Sequence, residues 1–261
     1  MRQNTEPRSI QDLLKDFADR GLPKTVRMHP TEFVQEFEVC AEHGRWPTNM
    51  QDKNGSVRWH QPGCPTCRQH ARTQALVSNA DISRRFMSCT FDNYRTENPG
   101  QLNALKLCRD YAMNFKENLA AGRCLIMRGN PGTGKNHLSA AIMLEVMRQK
   151  YTALRIKATA FLDDYWSKDF SERDPWMQKM ASVDLLVIDE IGRSSNGKAA
   201  NDAFFRLIDS RYEAMKPTIV ISNLDKGALR ETLGAAAYDR LREGGGQGIV
   251  FSWSSERAGN D

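Results

Sequence analysis

Two regimes of hydrophobic patterning meet near residue 80. Downstream of Arg84-Arg85-Phe86, apolar runs of strand length alternate with segments whose apolar residues recur every three or four positions. The runs at 124–128, 154–158, 185–189, 218–222 and 248–251 are nearly continuous in apolar residues, the pattern of strands buried on both faces. Five such strands separated by helices predict an α/β domain with a five-stranded parallel sheet covered on both sides. Upstream the pattern changes. Ile10, Leu13, Leu14 and Phe17 fall at helical spacing, and Gly21-Leu22-Pro23 ends that lead. From Glu32 to about Gln69, Cys, His, Trp, Gly and Pro become frequent and long periodic segments vanish. A small module organised around something other than a large apolar core reads this way. Residues 68–79 follow as a connecting helix. We therefore expect an N-terminal domain over 1–80, with its module at about 32–70 and a linker helix, and an α/β domain over 81–261.

Composition narrows the class without defining it. With 261 residues, 40% hydrophobic and 26% charged, the chain has the balance of a soluble globular protein and can bury a sizeable core. No apolar run approaches the roughly 18 residues of a membrane span. The N-terminus leads into no apolar stretch of the secretory kind, so a cytoplasmic protein with no membrane partner is expected. The net charge of +5 is mild, and neither half is a polycation, so charge alone does not argue for nucleic acid. One stretch is biased: between Arg58 and Arg85 lie Arg58, Arg68, Arg72, Arg84 and Arg85 against the single acid Asp81. It is either a phosphate-contacting surface or a solvated basic face.

The chemistry concentrates in three places. Gly129-Asn130-Pro131-Gly132-Thr133-Gly134-Lys135-Asn136 follows one expected strand and opens a helix marked by Leu138, Ile142 and Val146. Glycines let the backbone turn its amide hydrogens around phosphates, the helix N-terminus adds partial positive charge, and Lys135 supplies a cation to the β- and γ-phosphates of ATP. The residue after the lysine is ordinarily Ser or Thr, whose hydroxyl ligates magnesium; here it is Asn136. Either its amide oxygen substitutes, or magnesium is held mainly by phosphates, water and Asp189. Slow hydrolysis, with ATP acting as a switch, is the expected consequence. The second place is Leu185-Leu186-Val187-Ile188-Asp189-Glu190, a buried strand ending in two carboxylates. Asp189 is expected to hold magnesium through water and Glu190 to polarise the attacking water. Asn223, at the polar tip of 218–222, either helps place that water or starts the following turn. In Tyr238-Asp239-Arg240-Leu241-Arg242, either arginine is a candidate to reach a neighbouring subunit's ATP.

The third place is the N-terminal module. Cys40-Ala41-Glu42-His43 and Cys64-Pro65-Thr66-Cys67 each set two ligands with two residues between them. Two such knuckles make a closed, structural zinc site, with Gly44 and Gly63 permitting tight turns; His60 and His70 are alternative ligands. Without an export signal, disulfides are not expected among the six cysteines. Aromatic and basic residues mingle at Phe161, Tyr165, Trp166, Lys168, Phe170, Arg173 and Trp176, as base-stacking surfaces or as core.

Gly132-Thr133-Gly134-Lys135-Asn136-His137-Leu138 and Val183-Asp184-Leu185-Leu186-Val187-Ile188-Asp189-Glu190-Ile191-Gly192 together closely resemble the AAA+ ATPases of the bacterial helicase-loader family, of DnaC and DnaI type. Asn136 is itself shared with that family, and Cys89-Thr90-Phe91-Asp92-Asn93-Tyr94 looks like its approach to the ATPase domain. The resemblance covers residues 80–257, and the Cys/His module resembles the zinc-bearing N-terminal domain of the DnaI-type loaders. It implies a slow ATPase, stimulated by DNA or partner, that binds the hexameric replicative helicase and single-stranded DNA. It further implies self-assembly into a helical or hexameric oligomer. By position, it makes residues 129–137, His137 included, the nucleotide loop and Asp189 with Glu190 the acidic pair. Asn223 becomes the first sensor, Arg240 the trans-acting arginine and Arg257 the second sensor, and a full helical lid is absent. The rival is an IstB-like ATPase helper of a DNA transposase, a group that normally has Thr or Ser after the lysine and lacks the paired knuckles.

Overall fold

The computed structural model describes residues 33–59, 63–68, 71, 80–192 and 197–256. The expected lead helix, most of the linker helix, and His60, His70 and Arg257 lie outside the described residues. The chain forms two compact units, Met1–Cys64 and Pro65–Asp261.

The N-terminal unit contains two short antiparallel hairpins, β1 (Phe37–Cys40) with β2 (Gly44–Pro47) and β3 (Asn49–Gln51) with β4 (Val57–Trp59). Asn49 is buried and binds both flanks of the chain, its Oδ1 accepting from the Glu36 amide at 2.8 Å and its Nδ2 donating to the Val34 carbonyl at 3.1 Å. Asp52 closes the second hairpin by accepting from the amides of Asn54 and Ser56. Among the described residues of this unit, the buried apolar side chains are Trp46 and Cys64. That is too small a core to hold two hairpins unaided.

The second unit is the α/β domain. Helix α1 (Pro99–Met113) starts on a capping box in which Asn98 accepts from the Gln101 amide and Gln101 reaches back to the Asn98 amide. Then follow α2 (Phe115–Ala120), β5 (Leu125–Gly129), α3 (Lys135–Arg148), β6 (Ala153–Lys157), α4 (Ala158–Ser167), α5 (Phe170–Ser182) and β7 (Leu185–Ile191). The chain continues through α6 (Lys198–Glu213), β8 (Thr218–Ser222), α7 (Lys226–Leu233), α8 (Ala235–Arg242) and β9 (Gln247–Phe251). All five expected strands are present, with ends shifted by no more than two residues. They form one parallel sheet in the order β6-β7-β8-β5-β9.

Strand alternation sorts the core into two layers. Leu125, Met127, Leu185, Val187, Ile219 and Ile221 face α1 and α3, where Leu138, Ile142 and Val146 are fully buried. Ile126, Leu186, Ile188 and Val220 face α4, α5 and α6. Because all five strands are parallel, each delivers its carboxyl end to one edge, where open α/β sheets bind ligands. At the opposite edge the fully buried Arg211 donates to the carbonyls of Met180 (2.8 Å), Val183 (2.9 Å) and Pro217 (2.6 Å), tying the starts of β7 and β8 to α5.

Candidate functional site

The phosphate loop lies between β5 and α3, clasped from the C-terminal side. Gly129 has φ +132 and packs so closely on β9 that a Cβ there would lie 2.1 Å from the Phe251 carbonyl oxygen. Gly134, at φ +87, caps α3, and a Cβ there would lie 2.6 Å from the Tyr94 ring. Both positions demand glycine, by backbone angle and by space. Tyr94 Oη and Trp253 Nε1 both donate to the Thr133 carbonyl, at 3.2 and 3.1 Å, and the Glu256 amide donates to the Gly132 carbonyl. The loop is thus pre-shaped by contacts from outside itself. Lys135 is buried, and its Nζ donates to the carbonyls of Gly129 (2.8 Å) and Asn130 (2.6 Å), which parks the cation at the loop mouth. His137 turns its Nε2 to the Thr90 carbonyl at 2.9 Å and its ring edge to Tyr94.

Facing the loop is the end of β7, and there the strand breaks its register. The pairing with β8 shifts between Ile188 and Ile191, and Glu190 takes a φ of +60. A non-glycine residue in that region costs about 1–3 kcal/mol and persists only where its surroundings enforce it. The bulge lets consecutive carboxylates diverge. Asp189 points inward, only 2% exposed, while Glu190 is half-buried at the cleft. A cleft of about 190 Å³ is lined by Pro131, Gly132, Thr133, Gly134, Lys135 and Asn136 on one wall and by Asp189, Glu190 and Asn223 on the other. Arg85 and Phe86 complete its rim. The structure therefore brings together the loop, both acids and Asn223. It does not bring Arg240, which pairs with Asp209 on α6 and lies over the rings of Phe205 (5.3 Å) and Tyr212 (5.0 Å).

The unexpected member is Arg155. It stands on β6 and forms a buried ion pair with Asp189. With its amide nitrogen toward the acid, Asn136 donates to Asp189 Oδ1 at 3.3 Å while its carbonyl accepts from Arg155 Nη2 at 3.1 Å. The Glu190 amide also donates to Asp189 Oδ1, at 2.8 Å. Three of the roughly four acceptor positions of the carboxylate are so occupied. The two residues expected to serve magnesium are thus turned toward an arginine, and as arranged they present no open set of oxygens to a metal. Sequence reading passed over Arg155, although a cation between the apolar Leu154 and Ile156 of an expected buried strand is a signal in itself, because buried charges are rare unless paired. Arg85 enters the sequence reading through the basic stretch and, with Phe86 and the segment ending at Tyr94, through the family's approach to the ATPase domain, but nothing in their spacing places Arg85, Tyr94 or Trp253 at the loop.

In the N-terminal region, the ligand atoms of Cys40, His43, Cys64 and Cys67 all lie within 4.8 Å of one another, with Cys40 Sγ and His43 Nδ1 3.6 Å apart. Gly44 (φ +71) and Gly63 (φ +84) flank the two knuckles. Three thiols and an imidazole are the donor set of a structural zinc centre. Elsewhere, Phe161, Tyr165 and Trp176 belong to the core around Phe204, whereas Trp166 is 45% and Phe170 is 82% exposed. Among the described residues no helix is long and apolar enough to cross a membrane.

A glycine-rich loop opening a helix, opposite an acidic strand end in a five-stranded parallel sheet, defines an ATPase-type P-loop fold of the AAA+ class. The profile described as "IstB-like ATP binding protein" matches residues 66–241. The chain belongs to this ATP-binding family, within its DnaC-type helicase-loader branch. The replicative helicase loader DnaC of Escherichia coli K12 is 30% identical over 241 residues, covering 91% of this chain and 94% of DnaC. DnaC of Buchnera aphidicola subsp. Schizaphis graminum is 33% identical over 191 residues, covering 71% and 76%. A crystal structure of the DnaC helicase loader superposes with a TM-score of 0.55 at 22% identity, over 65% of this chain and 99% of that one. DnaI superposes at 0.56 and 19%, over 66% and 95%. These two likenesses speak for the fold.

Proposed function

We propose that the protein is an ATP-dependent loader of a hexameric replicative DNA helicase. The observation that carries this reading is the extent of the similarity to DnaC, which runs over 91% of the chain and so includes the N-terminal region. The IstB-like profile alone, matching 66–241, is equally compatible with a transposase helper. Phosphates of ATP seat on the amides of residues 129–136, and Lys135 exchanges its loop carbonyls for phosphate oxygens. Glu190 polarises the attacking water and Asn223 orients it. Arg240 and Arg257 would act between and within subunits of an oligomer assembled on single-stranded DNA; for Arg240 that requires release from Asp209. The exposed Trp166 and Phe170 offer bases an aromatic surface, with Arg173 stacked over the Trp166 ring at 5.7 Å.

The test is co-purification of tagged protein with the replicative helicase, with and without ATP and single-stranded DNA. Helicase capture that strengthens with ATP is the expected result; capture of a transposase instead would establish the rival function, and capture of neither would remove both.

Zinc fits the Cys40, His43, Cys64 and Cys67 set, and it would supply to two small hairpins the cohesion that Trp46 and Cys64 cannot. Freshly purified protein is expected to carry one zinc per chain and the Cys64→Ser variant to lose most of it. Metal analysis finding no zinc in the parent protein would end this assignment.

A further inference from the structure

The Arg155–Asp189 pair goes beyond the family's nucleotide chemistry. Arg155 is paired on β6 with Val187 of β7, so Asp189, two positions further along β7, is its diagonal neighbour on the same face. Their side chains are only 8% and 2% exposed. The guanidinium lies 5.1 Å from the Phe86 ring, which shields it from water, and a delocalised guanidinium tolerates such a stacked, desolvated position better than an ammonium would. With its amide nitrogen toward Asp189, Asn136 reaches both partners with the two ends of one planar amide. A Ser or Thr hydroxyl at that position would donate and accept through one oxygen on a shorter side chain, without the reach of the two separate ends of an amide. Asn136 and Arg155 therefore make sense together: the amide is shaped for an internal ion pair.

We infer that Arg155 is a built-in counter-cation at Asp189, so that a divalent metal joins the nucleotide complex only by displacing it. Magnesium takes oxygen ligands in a near-octahedral set and gives up its waters reluctantly, so a carboxylate already neutralised and hydrogen-bonded is a poor anchor. Arg155 has somewhere to go. A cavity of about 440 Å³ extends from the pair itself, where Asn136, Asp189 and Glu190 line it, past Arg155 to Asp81, Ser83 and Lys157. Asp81 offers the displaced guanidinium an alternative anion. The consequence is a protein whose magnesium affinity, in the nucleotide-bound state, is set by a residue that touches neither nucleotide nor metal.

This inference rests on the ATP reading of the cleft, and one titration separates the two. A fluorescent ATP analogue is bound to full-length protein in chelator, and magnesium is then added while analogue binding and, with manganese in its place, the spin-resonance signal of bound metal are followed. Arg155→Met is expected to lower the half-saturating metal concentration at least tenfold, about 1.4 kcal/mol. Arg155→Lys, which keeps a cation but loses the planar fork, is expected to fall between that variant and the parent. If removing the arginine leaves Asp189 so poorly compensated that Arg155→Met does not fold, the lysine variant decides alone. Analogue binding with an unchanged metal midpoint in the folded variants overturns the inference and leaves the ATP reading standing. No analogue binding by the parent protein overturns both.

Discussion

Glu190→Gln will bind ATP as tightly as the parent protein and turn it over at least about 100-fold more slowly, the lower end of what a positioned general base contributes. The expectation follows from how β7 ends. The register shift between Ile188 and Ile191 and the φ of +60 at Glu190 separate two adjacent carboxylates into different surroundings. Of the two acids that line the cleft, Asp189 is buried in its pair with Arg155 and Glu190 is the more exposed. The amide retains the shape and removes the base, so binding and turnover should separate. Lys135→Ala is the contrast, because in the proposed reading its cation is the phosphate ligand: it should lose binding and turnover together. Single-turnover hydrolysis beside equilibrium binding measures both. A Glu190→Gln protein that hydrolyses at the parent's rate would transfer the role to another group.

The features legible in the sequence are those whose chemistry is local. Residues 129–136 could be read as a phosphate loop because glycine, lysine and the onset of helix periodicity lie in one stretch, and the same is true of the apolar strand ending in Asp189-Glu190. The paired spacing of Cys40, His43, Cys64 and Cys67 likewise proved to bring four ligand atoms together. What escaped was everything assembled across the fold. Nothing in the order Ala153-Leu154-Arg155-Ile156-Lys157 says that β6 lies beside β7 in the register that sets Arg155 diagonal to Asp189. Tyr94 and Trp253, far apart in sequence, meet on one carbonyl of the loop. The aromatic segment at 161–176 illustrates the same limit. Its composition suited core and nucleic acid equally, and only packing divided it, sending Phe161 and Tyr165 inward and leaving Trp166 and Phe170 outside.

Asn136 shows how a single departure changes meaning as its surroundings appear. Beside Lys135 alone it is a missing hydroxyl and suggests a weakened magnesium site. Against Arg155 and Asp189 it is the bridging element of a buried ion pair. The acidic strand end thereby keeps its place in the fold while its charge is already balanced.

The largest loss of stability is expected at the opposite edge of the sheet, from Arg211→Met. Arg211 is fully buried, and burial pushes its guanidinium down to about 10, so it remains charged at neutral pH. Its Nε donates to Thr218 Oγ1 at 3.0 Å, Nη1 donates to the carbonyls of Met180, Ala181 and Val183, and Nη2 donates to that of Pro217. These carbonyls belong to the C-terminal end of α5 and the approaches to β7 and β8; that of Pro217 also accepts from the Leu186 amide at 3.3 Å, so the loss falls mainly on Met180, Ala181 and Val183. Methionine would fill much of the volume and satisfy none of them. With each stranded buried acceptor costing about 1–3 kcal/mol before relaxation, a net loss of about 3–5 kcal/mol is expected. At roughly 2–4 °C per kcal/mol for a unit of this size, thermal unfolding should come about 10 °C earlier. Arg211→Lys, keeping the charge and up to three donors, should recover part of that loss. A shift below about 2 °C for Arg211→Met would mean that water or backbone adjustment replaces the guanidinium. The effect should also reach the cleft, because β7 and β8 carry Asp189, Glu190 and Asn223 at their far ends: strands that slide at their starts cannot hold those three side chains opposite the phosphate loop.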